Sequence, residues 1–136
     1  MTDPFVVDCS VTASWLFADE RDQWGQDLLA SLQTREAVAP ALWVLETANV
    51  LLVAERRGRL SRAEAVYASQ LLLRLPILVE DSEARALEEI LALGQQTGLS
   101  AYDAVYLDLA QRSGLPLATR DAALREAART LGVPLL

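Results

Sequence analysis

The sequence predicts one α/β domain, a parallel sheet of about five strands with helices over both faces. Three observations lead there. Short apolar runs alternate along the chain with longer stretches of helical periodicity, the pattern that feeds parallel strands through right-handed crossovers. The 136 residues hold no apolar run of membrane-spanning length, no linker, no low-complexity tract and no internal repeat, so residues 1–136 read as a single domain. At 52% apolar and 23% charged residues, the composition is globular rather than disordered.

The elements follow in order. Phe5, Val6 and Val7 make the first strand, ending at Asp8, and residues 10–18 read as a helix opened by a polar cap. Residues 22–32 form a second helix, 37–39 a short strand ahead of Pro40, and 41–57 a long helix stopped by Gly58. Ser61 with Glu64 three residues later reads as a capping box, which opens a helix to residue 75 that Pro76 closes. Residues 77–79 are the next strand and 82–96 the next helix, with the acids from Glu80 to Glu89 on a solvated face. A helix over 100–113 closed by Gly114, a strand at 117–118, a helix over 121–131 and a last strand at 133–136 complete the chain.

The residue inventory excludes several chemistries. There is no histidine and one cysteine, Cys9, so Ser-His-Asp and Cys-His catalysis, His-ligated zinc and an intrachain disulfide are ruled out. All twelve basic residues are arginine, which removes a P-loop lysine and a Schiff-base lysine. The chemistry left runs on carboxylates, hydroxyls, amides and arginine. The net charge of −7 has the wrong sign for blanketing nucleic-acid phosphates, yet does not exclude a nuclease whose acids hold cations. The first seven residues lack the basic region of a signal peptide, so a cytoplasmic location, away from membranes, is expected.

Acids on helices normally face water, so those on apolar faces are informative. Glu46 shares its face with Leu42, Asn49, Val50 and Val53, and Asp103 shares its face with Leu99, Tyr106, Leu107 and Ala110. Asp108 points away from that face and stands four residues before Arg112, as a solvated ion pair does. Asp8 and Asp121 lie at or just past the carboxyl ends of predicted strands, the edge where open α/β sheets bind ligands. In a strand order 3-2-1-4-5 the first and fourth strands flank the reversal of winding, so the two acids meet across a crevice.

Each acid also has a plain structural reading. Asp8 and Asp121 fit helix N-caps, Glu46 fits a partly buried acid paired with an arginine, and Asp103 fits the acid that favours a helix dipole. Four together repel one another and raise each other's pKa, an arrangement that makes sense when a cation fills it. Oxygen ligands alone suit Mg²⁺ or Mn²⁺, ions that lower the pKa of bound water and stabilise the leaving oxygen in phosphoryl chemistry. A metal-dependent phosphodiesterase follows. Ser10 and Thr119, each two residues from an expected ligand, orient those carboxylates, contact phosphate or cap helices.

Val6-Val7-Asp8-Cys9-Ser10, Glu46-Thr47-Ala48-Asn49, Tyr102-Asp103-Ala104 and Thr119-Arg120-Asp121, in this order and at these separations, resemble the PIN domain, and within it the VapC-type toxins of type II toxin-antitoxin systems. The likeness spans nearly the whole chain. It implies a three-layer α/β/α sandwich of strand order 3-2-1-4-5 and a Mg²⁺- or Mn²⁺-dependent endoribonuclease. Its catalytic and metal-binding acids would be Asp8, Glu46, Asp103 and Asp121, with Ser10, Asn49 and Thr119 in support. It also implies a homodimer and a cognate VapB-type antitoxin, whose contacts are expected on the apolar-rich helices between residues 41 and 75.

Arg120, beside Asp121, is the expected contact to a scissile or flanking phosphate of the RNA substrate. Arg56, Arg57, Arg59 and Arg62 form a patch that holds RNA phosphates, an acidic stretch of the antitoxin, or only the dipole of a helix end. Trp15, Trp24 and Trp43 are expected in the core or an interface rather than in catalysis. Two rival classes stand beside the ribonuclease. One is an inactive PIN-like binding module; the other is a small metal-dependent phosphatase, disfavoured because no phosphate-cradling glycine loop or lysine is present.

Overall fold

The structure, a computed structural model, describes residues 2–81, 84 and 86–136. Its sheet is parallel and has the order β3-β2-β1-β4, with β1 at Thr2–Val7, β2 at Arg35–Pro40, β3 at Ile77–Glu80 and β4 at Leu117–Ala118. The central strand explains the order. Phe5, Val6 and Val7 are fully buried, so neither face of β1 tolerates water and both must be covered. Burying three such side chains contributes about 1.5–3 kcal/mol each.

The helices supply that cover. Helix α6 (Ala101–Ser113) lies along β1 and β2 and is flanked by α5 (Ala86–Thr97) and α7 (Ala122–Thr130). Helix α3 (Leu42–Arg56) leans on β2 and packs with α1 (Cys9–Ser14) and α4 (Arg62–Leu73), while α2 (Gln23–Ser31) precedes β2. The domain is a three-layer α/β/α sandwich, as expected. No described helix is long and apolar enough to cross a membrane.

Local chemistry sets most of the boundaries. Ser61 and Glu64 make the predicted capping box, each side chain accepting the other residue's backbone N–H. Ser100 caps α6, which ends at Gly114 with φ +66°, a left-handed conformation that glycine adopts without penalty. The expected beginning of the fifth helix, at Ser82, lies outside the described residues; α5 ends at Thr97, one residue past its predicted limit.

Three expectations need correction. The first helix stops at Ser14 instead of residue 18, because Phe17 turns extended to bury its ring and Trp15 swings to donate from Nε1 to the Gly25 carbonyl at 2.8 Å. A 3-10 turn at Ala18–Glu20 takes up the remainder. The fifth strand shrinks to one bridge, Leu117 to Leu135: Pro134 offers a carbonyl to Leu117 N–H at 2.8 Å but has no N–H of its own. Asp108 does pair with Arg112, Nε to Oδ2 at 3.1 Å, yet it is buried rather than solvated. Helix α6 is enclosed on several sides by the sheet, α5 and α7, and Arg112 carries the charge outward to Glu80 at 3.2 Å.

Candidate active site

Asp8 follows β1 directly, at the carboxyl edge of the sheet, and is only 5% exposed. Its Oδ1 accepts the Ser10 hydroxyl at 2.5 Å and the Val11 N–H at 3.2 Å, and its Oδ2 accepts the Thr119 hydroxyl. Asp8 is thus the N-cap of α1 and a buried anion at once, so the structural and functional readings of this residue do not compete. Thr119, fully buried just past β4, also accepts the Asp121 N–H at 3.0 Å. Its hydroxyl therefore holds the Asp8 carboxylate on one side and the Asp121 backbone on the other, and has no exposed face to offer a phosphate.

Asp121 caps α7 by accepting the Leu124 N–H at 2.8 Å through Oδ1. Glu46, one turn into α3 and half-buried, accepts the Tyr106 hydroxyl at 2.5 Å. Asp103 stands in the first turn of α6, its backbone N–H given to the Ser100 cap at 3.2 Å. The helices thus bring acids from α3 and α6 to the edge where β1 and β4 deliver Asp8 and Asp121.

Pairwise charge links the four carboxylates in turn, Asp8 to Asp121 and to Glu46, and Asp103 to Glu46 and to Asp121. Burial holds Asp8 above its ordinary pKa, opposed by the donors Ser10, Thr119 and Val11, and the charge of Asp121 adds to the rise. Burial likewise lifts Glu46, which Tyr106 pulls down and the charges of Asp8 and Asp103 push up. Asp103 is raised by burial and then by Asp121. Each of these three acids resists ionisation chiefly because it is buried and further because another acid adds its charge, and a cation relieves both. Burial, and then the charges of Glu46 and Asp8, push the Cys9 thiol up to about 11, so Cys9 stays protonated and unreactive.

The donor set fits a hard divalent ion within limits. Among the described residues no three Asp, Glu or Cys side chains stand close enough to ligate one ion together. Mg²⁺ does not need three, since it is bound through one or two carboxylates and keeps several waters, to be exchanged for substrate phosphates.

The other expected residues divide. Ser10 belongs to the site, donating to Asp8 and accepting the Arg120 N–H at 3.0 Å. Asn49 is exposed and makes no hydrogen bond to the acids; it lines a cleft of about 370 Å³ with Ala13, Phe17, Val53 and Arg57. The Arg120 guanidinium grips Asp22 in a two-pronged pair, at 2.6 and 2.8 Å, and lies over the Trp24 ring. In the arginine patch, Arg59 pairs with Asp19 and Glu20 and covers Phe17, and Arg62 faces Glu55 at 3.9 Å. Arg56 and Arg57 are exposed and make no ion pair among the described residues. Trp15 and Trp43 are core residues, the latter donating to Thr12 at 3.0 Å.

Sequence reasoning missed Tyr106 as the partner of Glu46 and Asp22 as the partner of Arg120. The first had a signal: Tyr106 shares the helix face of Asp103, and a buried phenol seeks an acceptor. The second had none, because Asp22 and Arg120 stand far apart in sequence and Asp22 reads as an ordinary cap, which it also is.

The PIN domain family model matches residues 5–130, from β1 to the last residue of α7. The chain belongs to the PIN domain family. It is 32% identical over 130 residues to Ribonuclease VapC3 of Pyrobaculum aerophilum, covering 95% of this chain and 98% of that one. It is 33% identical over 121 residues to Exonuclease VapC9 of the same organism, covering 88% and 82%. Among solved structures, PAE2754 from Pyrobaculum aerophilum superposes with a TM-score of 0.70 at 25% identity, over 92% of this chain and 79% of that one. The likeness of this PIN domain to VapC-type toxins, read from four short motifs, is matched by relatives bearing that name.

Proposed function

We propose that this PIN domain is a toxin ribonuclease of the VapC type, hydrolysing RNA phosphodiester bonds with Mg²⁺ or Mn²⁺. The observation that carries the reading is the convergence of Asp8, Glu46, Asp103 and Asp121 at the carboxyl edge of the sheet, where burial first and neighbouring negative charge second raise Asp8, Glu46 and Asp103. Two to four carboxylate oxygens of this set, with water, would hold the ion. When bound, it supplies Lewis acidity toward phosphate oxygens and acidity to water.

The chain's own residues do the rest. Ser10 and Thr119 fix both oxygens of Asp8, so that its direction is set before substrate arrives. Tyr106 does the same for Glu46. A carboxylate of the ring left free of the ion takes the proton of the attacking water as the P–O bond to the leaving oxygen breaks. With a net charge of −7, RNA is held by local arginines; Arg56 and Arg57 are free for phosphate, whereas Arg120 must first leave Asp22.

The partner expected of such a toxin has a surface to meet. Leu45 and Leu52 on α3 and Val66, Tyr67 and Leu73 on α4 are exposed apolar residues, which supports contact with an antitoxin or a second copy of the chain there. The test is cleavage of structured RNAs, labelled at either end, by purified protein with Mg²⁺ or Mn²⁺, beside Asp103→Ala. Discrete internal cuts missing in the variant are expected. Shortening from an end would instead assign exonuclease action, and intact RNA without metal binding would leave an inert scaffold.

A further inference from the structure

The segment 119–121 reaches the edge of the sheet from a strand of two residues, β4, and so has little ladder to hold it. Hydroxyls fasten it to the start of α1: Thr119 to the N-cap Asp8, and Ser10 to the Arg120 N–H at 3.0 Å. Among the described residues, one side chain ties it to α2, and that is Arg120. Its Nη1 and Nη2 donate to Asp22 at 2.8 and 2.6 Å, and its guanidinium lies 5.1 Å from the Trp24 ring centroid. Asp22 in turn is fixed by the Gly25 N–H at 2.8 Å, and the Gly25 carbonyl by Trp15 at 2.8 Å.

Two details show a shaped seat rather than a chance surface pair. A Cβ at residue 25 would stand 2.6 Å from Arg120 Nη2 and 3.2 Å from Asp22 Oδ1, so glycine leaves the room that the guanidinium occupies. The Arg120 Nε is buried without a partner among the described residues, so the side chain gives up one hydrogen bond to hold this position. A lysine cannot reproduce a planar fork on a carboxylate beneath an aromatic face.

We infer that Arg120 is a positioning residue: seated on Asp22 in the space left by Gly25, it holds segment 119–121 so that Thr119 and Asp121 meet Asp8 at the acidic site. The inference rests on the proposed function for the meaning of that site. It differs from direct phosphate contact by Arg120, because it requires Asp22 to be as necessary as the arginine.

The experiment compares Arg120→Gln, Asp22→Asn, the double variant, Gly25→Ala and Asp22→Glu, each checked for folding by circular dichroism. Mn²⁺ affinity is measured without RNA, and kcat and KM with it. Arg120→Gln and Asp22→Asn should each weaken Mn²⁺ binding and lower kcat on the order of 10–100-fold, as removal of groups behind metal ligands does, with KM little changed. The double variant should lose no more than either single one, because the pair acts as a unit. Gly25→Ala, which keeps both charges but evicts the guanidinium, should follow them, and Asp22→Glu should recover part of the loss. Should Arg120→Gln fail to fold, Asp22→Asn and Gly25→Ala still decide.

Full or raised activity in Asp22→Asn beside a loss in Arg120→Gln, or a salt-dependent rise in KM, would overturn the inference in favour of phosphate contact. If the wild-type protein cleaves no RNA, Mn²⁺ affinities still decide: unchanged values in all variants overturn positioning, and parallel losses uphold it although the ribonuclease reading has failed.

Discussion

A single hydroxyl holds Glu46 in the acidic ring. Tyr106→Phe removes the 2.5 Å bond to Glu46 and leaves a partly buried carboxylate without that donor, at a cost of about 1.5–3 kcal/mol. Urea denaturation should show the loss, and Glu46 should titrate at still higher pH because the group that lowers its pKa is gone. Asp103 predicts the opposite sign. Its pKa is raised by burial and then by the charge of Asp121, and the hydrogen bond with Ser100 opposes that rise without cancelling it. Asp103→Asn should therefore raise the Tm of the metal-free protein at neutral pH while abolishing cleavage; a fall in Tm would show that the charge is not a burden. At this scale the sequence showed which acids to choose, since Glu46 and Asp103 stood out on apolar faces and Asp8 and Asp121 at strand ends. It offered Ser10 and Thr119 as groups that orient carboxylates, but not that Thr119 reaches Asp8 or that Tyr106 holds Glu46, because those residues meet only through the folded sheet and its helices.

The helices show the same division between local and distant causes. The capping box of α4 was readable from Ser61 and Glu64 because all its bonds lie within four residues. Ser61→Ala should cost about 1 kcal/mol, measured by denaturant unfolding, with no effect on metal binding. Asp108 was misread because periodicity describes one face of a helix, whereas α6 is enclosed on several sides by distant elements. The shortening of α1 has a similar origin: Trp15 reaches a carbonyl ten residues away, beyond any local pattern. The last strand failed for a local reason that was visible, the proline in its middle, which deprives the ladder of a donor.

For the molecule as a whole, the strand alternation was enough to predict the sheet, which has the expected order with its fifth member reduced to a bridge. The summed electrostatics predict an unusual pH profile. Asp8, Glu46 and Asp103 have folded pKa values raised above the ordinary 3.8 and 4.5, so the native state binds more protons than the unfolded chain. Their contribution to stability is fully present below those ordinary values and is lost as pH rises through the raised ones. Asp22 runs the other way: Arg120 lowers it to about 2, so its contribution is present above 3.8 and lost as pH falls toward 2. Thermal scans of metal-free protein should thus show Tm rising as pH drops from neutral toward the ordinary carboxylate range, then falling in stronger acid. Added Mg²⁺ should raise Tm at neutral pH and lose its effect near pH 3.8, below the raised values of Asp8, Glu46 and Asp103.

The three tryptophans divide unevenly between interior and site. Trp15 and Trp43 are buried with their indole N–H groups bonded, while Trp24 is only partly buried and carries Arg120 over its ring. Their fluorescence is therefore two nearly constant emitters and one that senses the guanidinium. Acrylamide quenching should act mainly on Trp24, and any event that lifts Arg120 from its seat will be visible as a change in that fraction, with no label attached to the protein.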